Sequence, residues 1–169
     1  MLERTDGLPH MQQTQADPRQ RFFNEERDSL CAFQQRGWRG CGLDRDRFNS
    51  TRLPRFLFEA IVVASETDEV LLRLYTPDRP ASVGLPPNWA SFSAYVQAEE
   101  NWSLEYVLYD SSGRWAVLAD PDVTVVGAEP SLADSIERLL EEHGTSFEHL
   151  TKCDFPSLDK ANPNARYML

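Results

Sequence analysis

The stretch from Leu104 to Gly127, LEYVLYDSSGRWAVLADPDVTVVG, constrains the fold more than any other part of the chain. Leu104, Tyr106, Val107, Leu108 and Tyr109 form a run rich in aromatic and branched residues, the composition that suits a pleated surface. Asp110-Ser111-Ser112-Gly113 is turn chemistry. Asp and Ser side chains bond nearby backbone N–H groups, and Gly113 takes positive φ without a Cβ clash. Arg114 to Ala119 resumes the apolar run. Asp120-Pro121-Asp122 is a second turn, where Pro121 presets φ and cannot donate to a ladder. Val123 to Val126 is a third run. Parallel pairing needs a long crossover, and these runs are joined by short turns. The stretch therefore predicts a three-stranded antiparallel meander.

The helix that follows is predicted over 131–143. Ser131 and Asp134 have capping-box spacing, Leu132, Ile136, Leu139 and Leu140 share one face, and Gly144 stands where a helix stops. Asp17-Pro18 opens an earlier helix candidate, with Gln20 three residues after the cap. Phe22, Phe23, Leu30 and Phe33 line it and Gly37 ends it. Arg36 to Arg55, RGWRGCGLDRDRFNSTRLPR, has no clean period and reads as an irregular connector. Phe56 to Ala64 (FLFEAIVVA) and Val70 to Tyr75 (VLLRLY) are predicted as two strands of a hairpin linked by Ser65 to Glu69. Thr76 to Pro87 contains Pro77, Pro80, Pro86 and Pro87 and is expected to be a loop. Asn88 to Glu100 reads as a helix capped by Asn88, with Trp89, Phe92, Tyr95 and Val96 at helical spacing. The tail from Cys153 onward is poor in apolar residues. The sum is an α+β fold: a mainly antiparallel sheet of about five strands covered by helices. A disordered leader over 1–17, one domain over 18–150 and an extended tail over 151–169 complete the expected organisation.

The chain of 169 residues has 41% hydrophobic residues, enough for a core, and a formal net charge of −10. The charge is uneven. Residues 19–55 hold nine Arg against five Asp or Glu, a local +4, while residues 56–150 hold four Arg against 17 Asp or Glu, a local −13. So acidic a body repels nucleic acid and membrane phosphates and attracts a basic partner. No apolar run reaches the ~20 residues that span a bilayer. The polar N-terminus lacks the apolar core of a secretory signal. Three cysteines, Cys31, Cys41 and Cys153, do not form a disulfide framework. Together these point to the cytoplasm.

Chemistry-bearing constellations are weak. Cys31, Cys41, His149 and Cys153 do not have the paired spacing of a zinc site, so no metal and no cofactor is expected. A Cys–His nucleophile drawn from these cysteines with His143 or His149 lacks any mark of activation. Adjacent carboxylates such as Glu99-Glu100 or Glu141-Glu142 carry no sign of a cleft. Gly37, Gly40 and Gly42 do not make a phosphate loop. No catalytic residue is expected.

The segment from Trp89 onward resembles small acidic immunity proteins of bacterial polymorphic-toxin and contact-dependent inhibition systems, the SMI1/KNR4-like superfamily among them. The matching residues are Tyr109, Asp110, Gly113 and Trp115 in an aromatic-Asp-x-x-Gly-x-Trp turn, then Asp120 and Asp122 in an Asp-x-Asp turn. The resemblance implies a non-enzymatic inhibitor that binds a basic toxin domain by an acidic face. The carboxylates expected to matter lie at loop tips: Glu66, Asp68 and Glu69 in the first hairpin, and Asp120 and Asp122 in the meander. The alternatives are a small phage- or element-borne regulatory protein that binds another protein, or an enzyme with Thr76 to Pro87 as its lid.

Overall fold

Both faces of one antiparallel sheet are covered, and that shapes everything else. The computed structural model describes residues 16–24, 32–35, 37–44, 51–79, 81–98, 100–101 and 105–155. Most of the expected leader, Cys31 and the tail residues 156–169 lie outside the described residues. In chain order the elements are α1 (Pro18–Phe22), β1 (Arg39–Asp44), α2 (Arg55–Ser65), β2 (Val70–Leu74), β3 (Val83–Leu85), α3 (Trp89–Gln97), β4 (Tyr106–Tyr109), β5 (Trp115–Ala119), β6 (Val123–Ala128), α4 (Pro130–Glu142) and α5 (Phe147–Asp154). The sheet has six strands in the order β1-β6-β5-β4-β2-β3, every pair antiparallel. This is the α+β class expected, with six strands rather than about five.

The meander forms as predicted. Tyr106 pairs with Ala119 and Tyr109 with Ala116, while Trp115 pairs with Ala128 and Ala119 with Thr124. The Asp110 carboxylate accepts from Gly113 N–H at 3.0 Å and Ser112 Oγ at 2.5 Å, and Gly113 sits at φ +67°.

Two expectations fail in instructive ways. Phe56 to Ala64, expected as a strand, lies within helix α2. Its β-branched run Ile61-Val62-Val63 biases a local reading towards a strand. Yet Leu57, Phe58, Ala60 and Ile61 are buried while Arg55, Glu59 and Val63 face out, a helical spacing. Topology requires the helix. Counting antiparallel neighbours across the sheet, β1 and β2 run the same way, so the chain between them must cross over a face. The expected hairpin of 56–64 with 70–75 therefore does not exist, and Ser65 to Glu69 links helix to strand. The second failure is the connector, which contains β1. Its glycines hide the strand from a pattern search.

Smaller shifts follow local chemistry. β3 lies inside the loop expected over Thr76 to Pro87. The first helix covers only Pro18–Phe22, and Phe23 instead bridges Phe33 in antiparallel pairing. α4 starts at Pro130 with Glu129 as N-cap, so the expected box of Ser131 and Asp134 does not form. Asp134 pairs with Arg39 instead. α5 straddles the expected boundary between domain and tail, and Ser146 caps it by accepting from His149 N–H at 3.1 Å.

Alternate residues of the strands feed two cores. Tyr106, Leu108, Trp115, Val117 and Val126 join Leu57, Phe58, Ile61, Phe92, Ile136 and Leu140 under the helices. Phe58 and Phe92 stack at 4.9 Å between ring centroids. Val107, Tyr109, Ala116, Leu118 and Val125 meet Phe22, Phe23, Phe33 and Trp38 on the other face. There the N-terminal segment replaces a helix layer with aromatic rings. A Cβ on Gly127 would stand 2.1 Å from the Phe33 ring, so this seat requires glycine. Cover on both faces explains why every residue of β4, β5 and β6 is buried and why, Thr124 aside, they lack the polar alternation of a half-exposed strand.

Candidate partner-binding surface

The five carboxylates singled out by sequence fall into two groups at opposite ends of the sheet. Leu71 pairs with Tyr109 and Tyr109 with Ala116, so the start of β2, with Glu66, Asp68 and Glu69 before it, lies at the Asp110–Gly113 end. Leu74 pairs with Tyr106 and Tyr106 with Ala119, so Asp120 and Asp122 lie at the other end. This register keeps the two turns apart, so they do not share one field.

At the Asp120 end the charges are consumed within the fold. Arg19 on α1 reaches Glu105 at 2.9 Å and Asp120 at 2.7 Å, with its own side chain and that of Asp120 each 24% exposed. The Asp120 backbone carbonyl accepts from Arg52 Nη1 at 3.3 Å. Asp17 accepts from the Tyr75 hydroxyl at 2.6 Å and from Arg19 N–H at 2.9 Å, and lies 3.6 Å from Arg73. The guanidinium of Arg73 stands 5.3 Å from the centre of the Tyr75 ring. Burial first, then the bond to Asp17, pushes the Tyr75 phenol well up, so it stays a donor. This network ties the N-terminal segment to β2, the start of β4 and the β5–β6 turn. Asp120 is thus a clamp, and Asp122 alone of that pair is exposed. No sequence signal marked Arg19, because it meets Asp120 across 101 residues.

At the other end Glu66, Asp68 and Glu69 are exposed, and among the described residues none of the three is in an ion pair. Glu66 holds a left-handed conformation, φ 51°, that ends α2. Thr67 Oγ1 donates to the Glu69 carbonyl at 2.8 Å and fixes the turn. The Glu69 carboxylate lies against Gly84 of β3, where a Cβ would stand 2.2 Å from Oε1. The acidic turn therefore borders β3.

The two edges of the sheet are treated differently. Along β1, α5 supplies acceptors for the outward N–H groups: Gly42 N–H donates to Thr151 Oγ1 at 3.1 Å and Asp44 N–H to Asp154 Oδ2 at 2.8 Å. β3 closes the opposite edge and pairs only with β2. Among the described residues no helix packs along β3 as α5 packs along β1. Its three residues leave Val83 and Leu85 half-buried and Gly84 exposed. The signal for β3 was a Val-Gly-Leu triplet between Pro80 and Pro86, too short to stand out among prolines.

Of the cysteine–histidine pairings considered, the structure brings together Cys153 and His149 on α5, with Sγ and Nε2 3.4 Å apart, while Cys41 is buried in the core. Burial, with Glu137 and Asp154 nearby, pushes the Cys41 thiol well up, so it stays protonated. Among the described residues no group of three or more His, Cys, Asp or Glu is arranged to hold a metal ion. Among them, too, no helix is long and apolar enough to cross a membrane. No family model, curated protein or solved structure matches this chain.

Proposed function

We propose that this chain is a non-enzymatic protein-binding module, an immunity protein that works in the bacterial cytoplasm by binding a basic toxin domain. What supports the reading is the contrast between the edges of the sheet. One edge is sealed by α5, while among the described residues the other is open, bordered by Glu66, Asp68 and Glu69, none of them in an ion pair. An acidic turn beside an open strand suits an extended basic segment. Charge steers the encounter, and backbone pairing along β3 fixes the register. Asp120, held by Arg19, leaves the binding set, and Asp122 lies too far around the sheet to share it.

The partner is sought by co-purification from the native host, and its association rate is then measured across salt concentrations. The expected result is a rate that falls with salt and drops about tenfold or more when Glu66, Asp68 and Glu69 are all changed to Lys. Asp122→Lys should have a smaller effect. A rate indifferent to both salt and the triple reversal overturns recognition by this turn. Recovery of a host regulatory protein in place of a toxin overturns the immunity assignment and leaves protein binding standing.

A further inference from the structure

The exposed face of α5 presents a cysteine and a histidine together. Phe147, Leu150 and Thr151 face inward, and Thr151 and Asp154 are bonded to the β1 backbone. His149 and Cys153, one helical turn apart, therefore point outward from a helix fixed at both ends of that contact. Cys153 Sγ lies 3.4 Å from His149 Nε2, and both side chains are exposed.

We propose that His149 and Cys153 form a two-point chelating site for a thiophilic divalent cation of the zinc class. The reach of the pair is the first argument. Zinc–sulfur and zinc–nitrogen bonds of about 2.3 and 2.0–2.1 Å, set at a tetrahedral angle, separate the two ligand atoms by ~3.6 Å. The pair already stands at 3.4 Å, so an ion enters with little side-chain movement. Ligand chemistry is the second argument. A thiolate with an imidazole selects zinc, cobalt(II) or similar ions over magnesium and calcium. The ion takes the place of the thiol proton, which is released to solvent. Water fills the remaining positions, because the described residues offer no third ligand. The site is consequently labile and external to the core, and it is independent of the partner-binding reading.

Cobalt(II) is the probe. Untagged, reduced protein is titrated with it while the thiolate-to-cobalt charge-transfer band is followed in the near ultraviolet. One saturable equivalent per chain is expected, displaced by zinc and untouched by magnesium. Cys153→Ser should abolish the band, and His149→Gln should weaken binding by about tenfold or more. Both positions are exposed, so both variants should keep the parent's far-ultraviolet circular dichroism. The absence of a band with cobalt in excess overturns the site. So does a band that survives Cys153→Ser, or an affinity unchanged by His149→Gln.

Discussion

Trp115 shows how a single residue ties sequence to stability. It is 1% exposed and shares its core with Leu132, Ile136 and Leu140 of α4. Trp115→Ala should cost about 3–5 kcal/mol, the usual scale for truncating a buried aromatic, read from the urea midpoint. Its Nε1 is buried without a hydrogen-bond partner among the described residues. An orphaned donor costs about 1–3 kcal/mol, so Trp115→Phe, which removes it along with some packing, should stay close to the parent. Buried Cys41 and Tyr106, with the half-buried Tyr75, set the alkaline limit. Burial, as the leading cause, pushes the Cys41 thiol above its ordinary 9.0 and the Tyr106 phenol above its ordinary 10.0. The folded chain keeps both neutral where the unfolded chain ionises them. Their stability is therefore whole below pH 9.0 and is lost as pH rises. Each group costs about 1.4 kcal/mol per pH unit beyond its ordinary value. Cys41→Val should move the onset towards the tyrosine value of 10.0, seen as a later fall in the urea midpoint. Burial of Trp115 was legible from its place on a strand after the Gly113 turn. The clamp role of Asp120 was not, because its partner Arg19 lies far away in sequence and only the tertiary fold brings them together.

Among the elements, α2 separates local propensity from global need. Val62 and Val63 favour a strand, yet the crossover between β1 and β2 makes the segment helical. Val63 is 63% exposed on that helix. Val63→Ala should stabilise the protein by about 0.5 kcal/mol, the helix-propensity difference. In a strand the same change would destabilise it, so thermal melting decides between the two assignments. α5 gives a second test. Thr151→Val removes the acceptor for Gly42 N–H and should cost about 1–3 kcal/mol by urea denaturation, since the amide is left buried and unpaired. The meander and α4 were legible because their signals are local: turn residues, apolar runs and a Gly stop. β1 and β3 were not, because glycine and proline obscure short strands whose pairing partners supply their order.

For the whole molecule, the sheet closes its two cores with different materials, helices on one side and a ring-lined N-terminal segment on the other. Among the described residues no three or more His, Cys, Asp or Glu are gathered to hold an ion, so a chelator should leave the melting temperature unchanged even though α5 carries an ion-ready pair. Arg19→Ala should loosen the N-terminal segment at a cost of about 1–2 kcal/mol, because its partly exposed ion pairs stand between surface and buried cases. The loss should shrink in high salt, measured by urea denaturation in low and high salt. That segment has a consequence in time as well as in space. Arg19 and Phe22 are made well before the Asp120 that holds Arg19, which follows 101 residues later. At typical synthesis rates of 5–20 residues per second, the aromatic rings wait about 5–20 s for the surface they belong to. The nascent chain carries Phe22, Phe23 and Phe33 before β4, β5 and β6 exist to cover them, and among the described strands β6 is the last to arrive beneath these rings.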